Sequence, residues 1–220
     1  SILSDLYSKY YTYPSPIKGD FYPERDNDFL KFFENKIMPF CNTKGLTSVM
    51  EIGCYDGYVL YHLQKKGFDV TGCDPSEGAE IGKEYGVNIT REFFSAERFN
   101  EKKLKFDIVI SRHFIEHVVN PEEWVAGLMQ ILNQDGILII ETPNVQFYLE
   151  QGLPSVFSLQ HLHGFSTVSL RCLLSMTGMK IIEMEDSSSN LITVATRGTD
   201  YQKINPDFFH SITISFAQKV

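Results

Sequence analysis

The sequence predicts an α/β fold built on a doubly wound, mostly parallel sheet, and three observations carry that prediction. Short apolar, β-prone runs alternate with stretches of helical spacing from residue 48 onward. The run Ser48–Ile52 passes through a glycine-containing turn, Gly53-Cys54-Tyr55-Asp56-Gly57, straight into a helical pattern. About twenty residues further on, the spacing expected of a ribose-binding acid, a second apolar run ends at Asp74.

The elements follow in order. Residues 1–23 interleave Tyr7, Tyr10, Tyr11, Tyr13, Phe21 and Tyr22 with Pro14, Pro16 and Gly19. That is too aromatic for a disordered tail and too broken by proline for one helix, so it reads as a strap on the core or as a lid over the site. Asp28–Phe40 places Phe29, Phe32, Phe33, Ile37 and Phe40 at helical spacing and leads into the first strand. Strands are then expected at Ser48–Ile52, Asp69–Cys73, Val87–Thr90, Phe106–Ser111 and Gly136–Glu141, and helices at Gly57–Lys66, Glu77–Tyr85, Glu122–Leu132 and Val168–Thr177. Two final β runs, Met179–Glu185 and Leu191–Arg197, are joined by Asp186-Ser187-Ser188-Ser189-Asn190. No helix fits between them, so they form an antiparallel hairpin, which makes seven strands. The domain division is 1–44 for the aromatic lid and lead-in helix, 45–197 for the α/β domain, and 198–220 for a tail of unassigned role.

At 220 residues, 43% of them hydrophobic, the chain can bury one substantial core. No run reaches the length of a membrane span and no signal-peptide pattern is present. The net charge of −8 opposes a nucleic-acid partner, and Lys102, Lys103 and Lys105 form only a local, solvated cluster. Cys41, Cys54, Cys73 and Cys172 are scattered, without a Cys-x-x-Cys pair. They suit reduced thiols in a cytoplasmic protein rather than a zinc knuckle or a disulfide framework.

Glycines at a strand-to-helix turn let a ligand approach the backbone, and the helix start offers free N–H groups. A carboxylate at the end of the second strand can accept two hydrogen bonds from a ribose diol, so the pair reads as a site for a nucleoside-containing cofactor. A dinucleotide site would want Gly-x-Gly-x-x-Gly, but here Gly53-x-Tyr55-x-Gly57 lacks the third glycine and Glu51 precedes the turn. An anion there would repel a phosphate and suits a cofactor bearing ammonium and sulfonium charges.

With Glu51-Ile52-Gly53-x-x-x-Gly57, Asp74, Phe106 to Ser111, Glu116-His117-Val118 and Gly136 to Asn144 in order, the chain resembles the class I S-adenosyl-L-methionine (SAM)-dependent methyltransferases over residues 45 to 197. The resemblance implies a Rossmann-like fold, SAM as cofactor, and a cofactor site made by Glu51, Gly53, Cys54, Tyr55, Gly57, Asp74, Pro75, Ser95, Ala96, Ser111 and Arg112. Tyr55 stands where the family has its middle glycine. Similar turns occur in sugar C-methyltransferases, although the cysteine-rich zinc region of that group is missing. Phe94-Ser95-Ala96-Glu97 occupies the family's adenine-edge position, with Ser95 replacing the usual acid.

Methyl transfer from a sulfonium asks the protein to align the reactants and, for some acceptors, to remove a proton. His113, just beyond the fourth strand, is the first base candidate; the plainer alternative is a structural histidine bonded to a backbone carbonyl. His117 reads as a positioning residue or a second base. His161 and His163, in Gln160-His161-Leu162-His163-Gly164-Phe165-Ser166, resemble a segment that borders the acceptor in sugar and small-molecule methyltransferases. Pro143 and Asn144 shape the same pocket. No carboxylate lies within the His161–His163 stretch, so no metal is expected.

The leading expectation is methyl transfer to a small polar acceptor, a hydroxyl of a sugar or nucleotide-sugar in sugar or polysaccharide biosynthesis. The alternatives are a quinone or natural-product O-methyltransferase and a non-catalytic SAM-binding module of a larger assembly. Glu51 and the missing glycine oppose a nicotinamide oxidoreductase. Expected partners are the small-molecule acceptor and, for assembly, a second copy in a homodimer.

Overall fold

Seven strands form one sheet in the order β3-β2-β1-β4-β5-β7-β6 in the computed structural model, which describes residues 14–19, 23–153, 160–186 and 189–198. The strands are β1 (Ser48–Ile52), β2 (Asp69–Cys73), β3 (Ile89–Thr90), β4 (Phe106–Arg112), β5 (Leu132–Pro143), β6 (Met179–Glu185) and β7 (Asn190–Arg197). The first five run parallel, and β7 pairs antiparallel with both β5 and β6. The tyrosines of the expected lid, Phe21, and the tail beyond Gly198 lie outside the described residues.

The helices are α1 (Glu24–Phe32), α2 (Met38–Lys44), α3 (Tyr58–Lys65), α4 (Gly78–Glu84), α5 (Ala96–Glu101), α6 (Pro121–Ile131), α7 (Val145–Glu150) and α8 (Thr167–Met176). A π-helical turn, Phe33–Ile37, joins α1 to α2. They cover both faces of the sheet because the strands are apolar on both. Val49, Ile108, Ile110, Ile137 and Ile139 point to one face, where Phe29, Phe33, Leu60 and Leu63 complete a core. Their neighbours Met50, Ile52, Val109, Leu138 and Ile140 point to the other, against Leu128, Ile131, Leu170 and Leu174.

Sequence and structure differ mainly at element ends. The lead-in helix starts at Glu24 rather than Asp28, and β5 starts at Leu132 because the buried Leu132 pairs with Phe106 before the register shifts. Two short helices were not expected. Ser95 caps α5, its hydroxyl accepting from the Arg98 amide at 3.4 Å, and Asn144 caps α7, its side chain accepting from the Phe147 amide at 3.4 Å. Both caps sit in segments whose residues read as pocket walls, which hid their helix-starting role.

Strand order reverses between β1 and β4, and parallel sheets open a crevice at that point beyond their carboxyl ends. Registers bring Ile52 beside Ser111, Arg112 beside Glu141, and Glu141 beside Ile192. The polar ends of β1, β4 and β5 therefore line one edge.

Candidate active site

A cavity of about 100 Å³ opens at this edge, walled by Glu51, Gly53, Cys54, Tyr55, Arg112 and His113, with Pro16, Arg25 and Asp26 contributed from the N-terminal side. A larger cavity of about 490 Å³, between α1 and the β7 end, shares Arg25 and is bordered by Asp28, Glu141 and Asn190.

The turn after β1 is left-handed at three residues: Gly53 (φ 74°), Tyr55 (φ 50°) and Gly57 (φ 71°). Gly53 is required by a neighbouring ring, since an added Cβ would lie 2.6 Å from Phe114. At Tyr55 the chain carries a side chain in a region that glycine usually occupies. Its ring lies against Gly78 at the start of α4, and its amide donates to Asp74 Oδ2 at 2.9 Å. Asp74 Oδ1 accepts from the Ser76 amide at 2.8 Å and from the Ser76 hydroxyl. The carboxylate thus braces the turn, and its remaining lone pairs are what a ribose diol could use.

Asp56, which sequence reasoning passed over, is buried and takes three hydrogen bonds. The Ser15 hydroxyl donates at 2.7 Å, the Ile17 amide at 3.0 Å and the Tyr58 amide at 3.1 Å. One side chain therefore caps α3 and fastens the described piece of the N-terminal strap beside the cavity. Burial is the largest influence on Asp56 and leaves its pKa raised despite these donors.

Arg112 is the electrostatic centre of the edge. Its Nε donates to Glu141 Oε2 at 2.6 Å, one NH2 donates to Asp26 Oδ1 at 2.8 Å, and Glu51 Oε1 lies 3.5 Å from the other. The guanidinium also lies over the Phe29 ring, 4.3 Å from its centroid. Asp26 had a readable signal: with Phe29, Leu30, Phe33 and Ile37 it falls on one helical stripe, once the helix is allowed to begin at Glu24.

The two buried acids on this cation differ sharply. Burial alone would raise Glu141, but Arg112 and His113 outweigh it and hold the carboxyl at about 2. Burial also dominates at Glu51, and the looser Arg112 contact offsets too little of it, so the carboxyl is pushed up to about 8. Glu51 Oε2 finds no hydrogen-bond partner among the described residues. A buried acceptor of this kind, 3% exposed on a cavity wall, suits a ligand bearing an ammonium or sulfonium charge.

His113 (φ 48°) donates its backbone amide to the Glu141 carbonyl at 2.8 Å. Its ring sits between two acids, with Nε2 3.4 Å from Glu141 Oε1 and Nδ1 3.6 Å from Glu116 Oε1. Burial would lower its pKa, but Glu141 and Glu116 together leave it raised.

Backbone bonds assemble a second cluster beside it. The Leu162 and His163 amides both donate to the Glu116 carbonyl, at 2.8 and 3.1 Å, and His117 Nδ1 lies 2.8 Å from the Gln160 carbonyl. This places the His161 ring 5.0 Å from the His117 ring, near the buried carboxylate of Glu116. A carboxylate that the linear sequence keeps 45 residues from His161 therefore stands next to it.

Other expected residues are engaged elsewhere. Ser111 is fully buried and accepts from Trp124 Nε1 at 3.3 Å, while Trp124 stacks on Phe114, 4.6 Å between centroids. The Pro75 carbonyl accepts from Arg91, Ser95 and Ala96 begin α5, and the His163 ring pairs with Phe165 rather than with the other histidines. All four cysteines are free and buried.

The fold and this edge define an α/β domain with a polar cavity at its topological switch point. The chain belongs to the Methyltransferase domain family, whose profile matches residues 23–184. Among curated relatives it is similar to the ubiquinone biosynthesis O-methyltransferases of Rickettsia canadensis, 31% identical over 120 residues, 52% of this chain and 50% of the relative, and of a Ruegeria species, 31% identical over 101 residues, 44% and 41% of the two chains. The chain thus matches about half the length of these relatives. Among solved structures it resembles the plantazolicin methyltransferase BpumL in complex with SAH (TM-score 0.65, 18% identity, 89% of this chain and 94% of that one). It also resembles magnesium protoporphyrin IX methyltransferase from Synechocystis PCC 6803 with bound SAH (TM-score 0.57, 18% identity, 74% and 81%). These likenesses establish the Rossmann-like methyltransferase fold. No described helix is long and apolar enough to cross a membrane.

Proposed function

We propose that the chain binds SAM at the carboxyl edge of β1, β2 and β4 and methylates a hydroxyl of a small molecule. The observation that carries this reading is Glu51 Oε2, without a hydrogen-bond partner among the described residues, on a cavity walled by the Gly53–Gly57 turn and His113, in a chain of the methyltransferase family. When bound, SAM supplies a methyl group already activated on sulfonium. Glu51 would face the cofactor's cationic end and Asp74 its ribose. The Gly53–Tyr55 backbone supports the cofactor between them. His113, on the same wall, would accept the hydroxyl proton of the acceptor, and Glu141 and Glu116 beside its ring would stabilise the imidazolium that forms.

Two acceptor classes have separate support. The curated relatives are named for ubiquinone biosynthesis, which favours a phenolic hydroxyl of a quinone precursor. The charged wall of Arg25, Asp26, Glu51 and Arg112 favours a more polar acceptor, such as a sugar or nucleotide-sugar.

Calorimetric titration with SAM, SAH and NAD tests the cofactor first. Micromolar binding of SAM and SAH without NAD is expected, and no SAM binding would overturn the reading. Methyl transfer to catechols and to nucleotide-sugars in parallel then separates the acceptor classes. His113→Ala should retain SAM binding and lose turnover by about 10²-fold or more; unchanged turnover would remove His113 from the chemistry.

A further inference from the structure

We propose that Glu116, His117 and His161 form a binding site for a divalent transition-metal ion such as Zn²⁺, next to the acceptor side of the cavity. Their ligand atoms, one carboxylate oxygen and two imidazole nitrogens, all lie within 4.8 Å of one another.

The protonation logic is the first support. A carbonyl only accepts, so the 2.8 Å contact between His117 Nδ1 and the Gln160 carbonyl requires Nδ1 to donate. In the neutral ring Nε2 then carries a lone pair, and that nitrogen lies 3.9 Å from Glu116 Oε1. A cation placed between these two atoms would meet both. A ring nitrogen tied to a backbone carbonyl, leaving the other for a metal, is also how ligating histidines are commonly oriented.

Glu116 supplies the second, independent support. It is 2% exposed, and its Oε1 finds no hydrogen-bond partner among the described residues. The nearest charged neighbour, His113 Nδ1 at 3.6 Å, is beyond hydrogen-bond distance. The other oxygen, Oε2, accepts from the Thr142 hydroxyl at 3.0 Å, which leaves Oε1 beside His113 and His117, 3.6 and 3.9 Å away. A buried carboxylate oxygen is costly unless something positive meets it.

Two imidazoles and one carboxylate are a borderline donor set, suited to Zn²⁺ and poor for Mg²⁺, which prefers oxygen ligands and retains its waters. Tetrahedral bonds near 2.1 Å ask for ligand separations of about 3.4 Å, so the set, now within 4.8 Å, would contract around the ion. Three protein ligands leave a coordination position for water or an oxygen of the acceptor.

The chain, stripped with chelator and dialysed, should be titrated calorimetrically with Zn²⁺ and, separately, with Mg²⁺. One Zn²⁺ per chain at micromolar affinity or tighter is expected, without comparable Mg²⁺ binding. His161→Ala should weaken Zn²⁺ at least 10-fold. His62→Ala, a change on α3 where the ring packs on Tyr58 and Tyr61, should leave it unchanged. Co²⁺ in place of Zn²⁺ should give visible d–d bands that His161→Ala removes. Absence of stoichiometric Zn²⁺ binding, equal affinity in His161→Ala, or Mg²⁺ binding as tight as Zn²⁺ would each overturn the site. The measurement reads metal alone, so it stands or falls apart from SAM binding and methyl transfer.

Discussion

Two clusters grow from the end of β4, and they balance charge in opposite ways. Around Arg112, a cation that belongs to the chain is enclosed by Asp26, Glu51 and Glu141. Around Glu116, a buried carboxylate and two imidazoles converge, and the nearest cationic group, His113, stands 3.6 Å from Oε1. The first cluster is complete in the protein itself, apart from one oxygen of Glu51. The second brings together metal-type ligand atoms, one carboxylate and two imidazoles. The contrast separates a region whose polar groups are balanced by a resident cation from one whose ligand atoms suit the ion proposed above.

The largest effect should come from removing the resident cation. Arg112→Met leaves the buried Glu51 and Glu141 and the half-buried Asp26, from three different elements, facing one another, and breaking a buried charge network in this way typically costs about 3–5 kcal/mol. Urea unfolding at pH 7 would measure it, and a loss under about 1 kcal/mol would show that Arg112 does not hold α1 to the sheet edge.

Glu141 should account for a similar but pH-dependent share. Its folded pKa of about 2 lies below the ordinary carboxylate value of 4.5, so the stabilisation is fully present above about pH 4.5 and disappears as pH falls toward 2. The size is on the order of 3 kcal/mol. Glu141→Gln should therefore lower stability at neutral pH and flatten the acid limb of the stability curve below pH 4.5. An unchanged acid limb would break the pairing assigned to Glu141.

Glu51 inverts this sign and so sharpens the comparison. A carboxyl raised to about 8 in the folded chain favours folding below pH 4.5, and that contribution is lost as pH climbs toward 8. Glu51→Gln should be at least as stable as the parent at pH 8 while binding SAM 10-fold or more weakly. In the parent, a cationic cofactor that draws Glu51 into its ionised form should release protons at pH 7, visible as heats that vary with the buffer's ionisation enthalpy. A destabilised Glu51→Gln with intact SAM affinity would make Glu51 a structural acid instead.

Much of this was legible in sequence, for reasons particular to each residue. The parallel strands were readable because Val49–Ile52, Phe106–Ser111 and Gly136–Glu141 are apolar on both faces, and the hairpin because no helix fits between Glu185 and Leu191. Glu51, Gly53, Tyr55, Arg112 and His113 line the cavity, and they were readable as candidates because they lie within a few residues of strand ends, where periodicity and turn chemistry mark the edge. Asp26 was hidden by a helix start placed four residues late. Asp56 was hidden because its partners, Ser15 and Ile17, are distant in sequence. The metal-type cluster was hidden for the same reason. Within Gln160–Ser166 there is no carboxylate, and the backbone bonds from Leu162 and His163 to the Glu116 carbonyl, with the His117–Gln160 contact, bring one alongside. Local pattern locates strand ends; it does not say which distant loop a strand end captures.

The smallest predicted effect tests whether the second cluster is as purposefully oriented as the first. Thr142→Val keeps the shape of a buried side chain on β5 but removes the hydroxyl that donates to Glu116 Oε2 at 3.0 Å. The stability loss should be about 1–2 kcal/mol, the ordinary consequence of leaving a buried acceptor short of one donor. If that hydroxyl serves to aim Oε1 at His117 and His161, Zn²⁺ affinity should fall as well, by about 10-fold, while the Arg112 cluster and the acid limb set by Glu141 stay as they were. Equal Zn²⁺ affinity in Thr142→Val and the parent would mean that Glu116 is held by its backbone bonds alone. Loss of the Glu141 acid limb in the same variant would mean that the two clusters are one network and that their contrast is only apparent.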